Sequence, residues 1–146
     1  MRLPHEALVV VCDGRKALLL RNEGGEASPQ LRVESTRQAP VNAPTAEQGS
    51  DRPGRFQNRA GPTSAVAETD WHELAEQSFA EATVEAIETF HQAHSRPPLV
   101  LVAPPKTLAV MRGRLTDAVR ASVIAEIDKD LTKHPVDEIE RVLTRE

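Results

Sequence analysis

The run Ala7-Leu-Val-Val-Val-Cys12 is followed at once by Asp13-Gly14 and then by Lys16-Ala-Leu-Leu-Leu20. The first run is apolar and β-branched, too short for a helix, and typical of a central strand. Asp-Gly between two apolar runs predicts a type I′ hairpin turn, because both central residues of that turn need positive φ. Residues 16–20 are therefore predicted to return antiparallel to the first strand.

The elements that follow extend this hairpin. Gln30-Leu-Arg-Val-Glu-Ser35 alternates apolar and polar residues, which predicts a half-exposed third strand and a three-stranded meander. A long helix is predicted over residues 68–92, with Thr69 as its cap. Residues at three- and four-residue steps form the predicted apolar face of this helix: Trp71, Ala75, Phe79, Ala82, Ala86 and Phe90.

The second half of the chain alternates strands and helices. Leu99-Val-Leu-Val-Ala103 predicts a strand covered on both sides. A helix is predicted over residues 107–120, a strand over 123–127, and a final helix that Pro135 opens. The order β-β-β-α-β-α-β-α is that of ribonuclease-H-like folds. We therefore expect a single α/β domain over residues 1–146, in which helices pack on one mixed sheet.

Residues 36–67, here called the basic segment, differ from the rest. They contain four Pro and three Gly with few apolar residues, which predicts a long flexible loop between the third strand and the first helix. The segment holds four Arg against one Glu and one Asp, whereas residues 68–146 hold nine basic and fifteen acidic side chains. Since the net charge of the chain is −4, a basic loop is expected on an acidic body.

The basic segment also contains Arg52-Pro-Gly-Arg-Phe-Gln-Asn-Arg59, in which arginines flank an aromatic residue. Arg pairs with phosphate in bidentate fashion and Phe stacks on bases. Lys106 follows a predicted strand and opens a helix, where backbone N–H groups bind anions. Alternatives are a soluble loop with incidental charge and a purely structural strand-to-helix turn. The candidate RNA-binding residues are Arg52, Arg55, Phe56, Gln57, Arg59 and Lys106.

An enzyme is the less favoured class. Asp13 ends the first strand, as a metal-binding acid does in ribonuclease-H-like nucleases, but the fourth strand runs into Pro104-Pro105 with no acid beside it. Two-metal chemistry needs several converging carboxylates, so Asp13 is interpreted as a turn residue. The five His are scattered, and no metal or cofactor is expected. The acids of the long helix are predicted to form a solvated face or to dock a protein partner: Glu76, Glu81, Glu85 and Glu88.

Composition points to the cytoplasm. Cys12 is the only cysteine, which excludes an intramolecular disulfide and fits a reducing compartment. It lies in an apolar run, so we expect a buried thiol. No run approaches the ~18 apolar residues that span a membrane, and residues 1–7 lack the apolar core of a signal peptide.

Several segments together resemble the family of proteins required for attachment to host cells. They are Val9-Val-Val-Cys-Asp-Gly-Arg-Lys-Ala17, Asp51-Arg-Pro-Gly-Arg55, Leu99-Val-Leu-Val-Ala-Pro-Pro-Lys-Thr-Leu108 and Ile127-Asp-Lys-Asp-Leu-Thr132. That family is similar to the central domain of archaeal and eukaryotic peptide-chain release factors, in which a loop before the long helix carries Gly-Gly-Gln. The matching stretch here, Arg59-Ala-Gly-Pro-Thr-Ser64, has no Gln. The resemblance therefore implies a non-catalytic protein whose basic loop meets the ribosome or other RNA. The alternatives are a protein-interaction module and, third, a metal-dependent nuclease or hydrolase.

Overall fold

The computed structural model describes residues 1–40 and 62–146, and of residues 62–69 the backbone alone. Within these ranges the chain forms a mixed α/β structure, as predicted. The elements, in chain order, are β1 (Leu8–Cys12), β2 (Lys16–Asn22), β3 (Leu31–Gln38), α1 (Pro62–Ala93), β4 (Leu99–Ala103), α2 (Pro105–Arg114), α3 (Asp117–Ser122), β5 (Val123–Asp128) and α4 (Val136–Arg145).

The five strands form one mixed sheet in the order β3-β2-β1-β4-β5. The central strand β1 is antiparallel to β2, with Val10 opposite Leu19, and parallel to β4, with Val10 opposite Leu101. β2 is antiparallel to β3, and β4 is parallel to β5. The predicted meander, the central position of the first strand and the place of residues 99–103 in the sheet are confirmed. The carboxyl ends of β1, β4 and β5 consequently lie at one edge.

Helices cover both faces of the central strands, and every residue of β1 and β4 is buried. One face of the sheet packs against α1 and α2, through Val10, Leu101, Ile87 and Met111. The opposite face packs against α4, through Val9, Val100, Ile139 and Leu143. Alternate residues of one strand thus enter two separate cores, which is why these strands are apolar without interruption.

The turn between β1 and β2 corrects one prediction. The backbone N–H of Asp13 donates to the carbonyl of Lys16 at 2.9 Å, so the two loop residues are Gly14 and Arg15. Neither Asp13 nor Arg15 is among the described residues with positive φ, so the predicted type I′ turn is wrong. Oδ1 of Asp13 instead accepts hydrogen bonds from the backbone N–H groups of Arg15 and Lys16, at 2.7 Å each. The Asp13 side chain therefore stabilises the turn without a left-handed backbone conformation at Asp13.

β3 and α1 both extend into the basic segment, so the predicted loop is wrong for residues 36–38 and 62–67. β3 continues to Gln38, and seven of its eight residues are exposed, as an edge strand allows. α1 begins at Pro62, so Thr69 lies inside the helix and the predicted cap is wrong. Proline is well tolerated at the first helical position because its fixed φ suits a helix. Of the basic segment, residues 41–61 lie outside the described residues.

The buried face of α1 is also rotated from the prediction. Phe79 is buried as expected, but Trp71 and Ala75 are exposed, and residues 70–78 are exposed throughout. The first half of the helix therefore projects past the core. The residues of α1 that are buried in addition to Phe79 are Ala80, Thr83, Val84, Ile87 and His91.

The helix predicted over residues 107–120 is two helices. α2 ends at Arg114, and Thr116 caps α3 by accepting a 3.4 Å hydrogen bond from the backbone N–H of Val119. Glu88 of α1 stabilises the break between α2 and α3, because its carboxylate accepts hydrogen bonds from the backbone N–H and the hydroxyl of Thr116, at 2.9 and 2.8 Å. The element order thus contains one helix more than predicted. Among the described residues no helix has the length and apolarity that a bilayer requires.

Candidate functional site

The structure gives a position to only one of the six candidate RNA-binding residues. Arg52, Arg55, Phe56, Gln57 and Arg59 lie outside the described residues. Lys106 lies in the first turn of α2, and its Nζ is 3.2 Å from Oε1 of Glu73 on α1. An incoming phosphate would therefore compete with a carboxylate for Lys106.

Lys106 belongs to a cavity of about 410 Å³ at the carboxyl ends of β1, β4 and β5. Such edges are where open α/β sheets commonly bind ligands. We call it the acidic cavity, because its charged lining residues are four acids and two bases: Asp13, Glu73, Glu76, Asp130, Arg15 and Lys106. This balance of charge repels a phosphate group and favours a positively charged or neutral occupant.

Asp13 connects the sheet to the segment before α4. Its Oδ2 lies 2.9 Å from the hydroxyl of Thr132, and the same hydroxyl lies 2.8 Å from Oδ1 of Asp130. Thr132 is buried, with 2% of its surface exposed. Because a hydroxyl carries one proton, Thr132 donates to one of the two carboxylates at a time. The hydroxyl of Thr132 thus links the carboxylates of Asp13 and Asp130, and the turn is tied to the segment before α4.

Two close contacts, one with α1 and one with α2, lie at this edge. An added Cβ on Gly14 would lie 2.8 Å from Cγ and Cδ of Glu76, so a larger residue there would displace the exposed Glu76 side chain. One residue before the turn, the Cys12 thiol is buried and lies 3.3 Å from Sδ of Met111. Burial raises the pKa of Cys12 to about 12, and the negative charges of Asp13 and Asp130 add to the rise. The predicted buried thiol is confirmed.

A second cavity, of about 510 Å³, lies on the other side of the projecting half of α1, against the end of β3. We call it the apolar groove, and its principal lining residues are Arg37, Pro40, Trp71, Leu74, Ala75 and Phe79. Trp71 is 41% exposed and Leu74 is 60% exposed. Within the described lining, Arg37 is the one charged residue. The groove thus combines an accessible aromatic surface with a cation.

The acidic face predicted for α1 is only partly a solvated face. Glu81 pairs with Arg114 of α2 at 2.6 Å, and hydrogen bonds from Arg114 and Gln77 lower the pKa of Glu81. Glu88 holds Thr116, as described above. Glu76 borders the acidic cavity, and Glu85 is exposed. Tertiary contacts therefore occupy two of the four acids, which reduces the surface that a protein partner would meet.

His91 and His94 also have structural roles. Nε2 of the buried His91 is 2.7 Å from the hydroxyl of Ser122, and His94 stacks on Phe90 with ring centroids 3.8 Å apart. In the part of the chain that the structure describes, no three His, Cys, Asp or Glu side chains form a group that could hold a metal ion.

Comparison with known proteins identifies the family. The model of the family described as protein required for attachment to host cells matches residues 8–143. The chain belongs to this family. An uncharacterised protein of Rickettsia prowazekii (strain Madrid E) is 31% identical over 96 residues, which are 63% of this chain. The chain spans 63% of the length of that relative, a little less than two thirds.

Three of the four segments that carry the resemblance to the host-attachment family meet at the acidic cavity. They contribute Asp13, Lys106 and Asp130 to its lining. The fourth, residues 51–55, lies outside the described residues. Sequence reasoning weighed Asp13 and Lys106 individually, whereas Asp130 and Thr132 entered only as part of a segment that resembles the family. Their contact with Asp13 was missed, because 119 residues separate Asp13 from Thr132. It also missed the apolar groove, which lies between Arg37 of β3 and the exposed Trp71 of α1.

Proposed function

We propose that this host-attachment-family protein is non-catalytic and associates with RNA, the ribosome included, through its basic segment. The charge distribution carries the proposal. Residues 36–67 hold four Arg against two acids, while residues 68–146 hold fifteen acids against nine bases. A basic segment in an otherwise acidic chain is the part of the sequence that favours contact with phosphate.

The residue types of the basic segment suit RNA. Arg52, Arg55 and Arg59 can each pair with a phosphate, and Phe56 supplies a stacking surface with Gln57 beside it. Lys106 is the sixth candidate, and its contact with Glu73 makes it the weakest.

The place where the basic segment leaves the sheet supports the same function. The backbone N–H of Ala39 donates to the carbonyl of Arg15 at 2.8 Å, so the segment departs beside the β1–β2 turn. Arg15 and Arg37 are both exposed. RNA held by the segment would therefore pass near Arg37, the segment's own first arginine, and near one further cation, Arg15.

We propose three finer assignments with this function. The basic segment precedes the long helix α1, as the catalytic loop does in release-factor central domains, which supports a relation to those domains without their Gly-Gly-Gln chemistry. A meander followed by parallel strands supports the ribonuclease-H-like classification and a single domain over residues 1–146. A reduced, buried Cys12 suits a cytoplasmic location.

The test is a salt series of RNA binding and ribosome co-sedimentation. Each phosphate contact adds about 0.7 to 0.9 to the slope of log affinity against log salt concentration. The variant carrying Arg52→Ala, Arg55→Ala and Arg59→Ala should therefore lose about 2 to 3 units of slope. Phe56→Ala should cause a further loss that salt does not change, because stacking releases no counterions.

A matched control separates specific contact from net charge. Arg2→Ala, Lys133→Ala and Arg145→Ala together remove the same charge from exposed positions outside the basic segment. This control should keep most of the native slope. If native protein binds neither RNA nor ribosomes at low salt, or if both triple variants bind alike, the proposal is wrong and a protein partner becomes the leading function.

The non-catalytic part is tested separately, since Asp13 and Asp130 border one cavity. RNA incubated with native protein and Mg²⁺ or Mn²⁺ should remain intact on a denaturing gel. Cleavage that Asp13→Asn abolishes would assign the protein to the metal-dependent nucleases instead.

A further inference from the structure

The apolar groove is built from one stripe of α1. Trp71, Leu74, Ala75, Ser78, Phe79 and Ala82 follow steps of three and four residues, so they lie on one side of the helix. Phe79 joins the core at the inner end of the stripe, whereas Trp71 and Leu74 stay exposed at the outer end. A helix that ends its buried stripe with an exposed Trp and Leu offers an apolar surface that the described residues leave uncovered.

The electrostatics of the groove favour an anion. Glu73 and Glu76, which follow Trp71 along the helix, line the acidic cavity and not the groove. Arg37 stands at the β3 side of the groove, and the basic segment continues from it along the chain. Asp70, four residues before Leu74, and Glu85, which lines a neighbouring pocket together with Arg37, also lie on this side of α1. The attraction for a phosphate is therefore centred on Arg37 and the start of the basic segment.

Among anionic partners, the shape and chemistry of the groove favour a nucleic acid, because an uncharged base can enter the groove while the phosphate stays outside. Its volume of about 510 Å³ lies within the ordinary range for small-molecule sites, about 300–1,000 Å³. Trp71 provides a planar surface, and a base stacked on an aromatic side chain keeps its phosphate free to pair with Arg. The amide of Gln38 and the hydroxyl of Ser78, both exposed in the lining, supply hydrogen bonds to a base edge.

We propose that the apolar groove binds an unpaired base of single-stranded RNA, with Trp71 stacking on the base and Arg37 pairing with the adjacent phosphate. This inference rests on the proposed RNA association and assigns it a subsite on the described surface. Double-stranded RNA is a poor ligand for it, because paired bases do not offer their faces to an aromatic side chain.

The chain itself supplies the probe, because Trp71 is its only tryptophan. A short single-stranded oligoadenylate titrated into the native protein at low salt should quench Trp71 fluorescence in proportion to binding. An abasic oligonucleotide of the same length carries the same phosphates without bases, and it should bind with little quenching. Binding of a fluorescently labelled oligoadenylate, followed by anisotropy, gives the affinity independently.

Variants then separate stacking from charge. Trp71→Ala should weaken oligoadenylate binding about 10- to 100-fold, whereas Trp71→Phe should keep most of the affinity. His72→Ala is the matched control, since His72 is the exposed neighbour of Trp71 and does not line the groove. It should bind like the native protein. Thermal unfolding of all three variants should stay close to native, which excludes misfolding as the cause.

Three outcomes would overturn the inference, and they differ in what they leave standing. If oligoadenylate binds without quenching and Trp71→Ala binds normally, RNA contacts the basic segment alone and the proposed function survives. If oligoadenylate does not bind at low salt, both the function and its subsite fail. If an amphipathic, leucine-rich peptide quenches Trp71 where RNA does not, the groove belongs to a protein partner.

Discussion

The acidic cavity and the apolar groove lie on opposite sides of the same exposed half of α1, yet their chemistry is opposite. The charged residues that line the cavity are four carboxylates and two cations, whereas Arg37 is the one charged residue in the described lining of the groove. The difference follows from helical periodicity: Glu73 and Glu76 project to one side and Trp71 and Leu74 to the other. One helix thus separates an acidic cavity from an apolar groove whose described lining carries a single cation.

The two regions also differ in how strongly the fold fixes them. Asp13 and Asp130 share the hydroxyl of Thr132, and Asp13 accepts two backbone hydrogen bonds as well. The groove, in contrast, keeps Trp71 and Leu74 exposed. We infer that the segments shared with the host-attachment family at the acidic cavity hold the sheet edge in place, while the groove side remains available for binding.

The largest expected effect concerns Cys12. Its pKa of about 12, against 9.0 for an ordinary thiol, means that the native thiolate fraction at pH 8 is about 1000-fold lower than in the unfolded chain. Because burial and the nearby carboxylates both disfavour the thiolate, alkylation should stay slow as pH rises from 7 to 9. Iodoacetamide labelling followed by mass spectrometry should proceed only in urea. Native labelling at the rate of the unfolded chain would show that the sheet edge is open.

The next effect tests the structural role of the acidic cavity. Asp13→Ala removes the acceptor of two backbone N–H groups and one hydroxyl, and it should lower the free energy of unfolding by about 2 to 3 kcal/mol. Urea denaturation measures the change. Glu26→Ala, which removes an exposed carboxylate elsewhere, should change it by less than about 0.5 kcal/mol. Asp13→Ala should leave oligoadenylate affinity within about twofold of native at temperatures where the variant is folded, because the account places RNA on the other side of α1.

The acidic cavity and the apolar groove differ in how much of each could be predicted from the sequence. Continuous apolar runs placed β1 and β4 in the centre of a mixed sheet, because local composition reflects burial on both faces. The burial of Trp71 was predicted wrongly, since periodicity reveals a stripe but not where the core beneath it ends. The contact of Thr132 and Asp130 with Asp13 was missed because only the fold brings them together. Arg37 was assigned to a loop, although it continues β3.

The smallest expected effect comes from changing the charge of each region in a separate variant. Leu74→Glu places a carboxylate in the groove and should weaken oligoadenylate binding about fivefold, since a like charge near phosphate costs about 1 kcal/mol at a surface. Glu76→Gln removes a carboxylate from the acidic cavity without releasing Lys106 from Glu73, and it should leave binding nearly unchanged. Anisotropy titrations at one low salt concentration compare the two variants. Equal losses for both would mean that the sides of α1 are not distinguished by RNA.

Chemical-shift mapping of the ¹⁵N-labelled protein with single-stranded oligoadenylate tests the central claim most directly. We expect the backbone amides of Arg37, Ala39 and Leu74 and the indole N–H of Trp71 to shift, while those of Val110, Asp130 and Thr132 do not. Shifts confined to Val110, Asp130 and Thr132, or no shifts at all at low salt, would contradict the assignment of RNA to the groove side of α1.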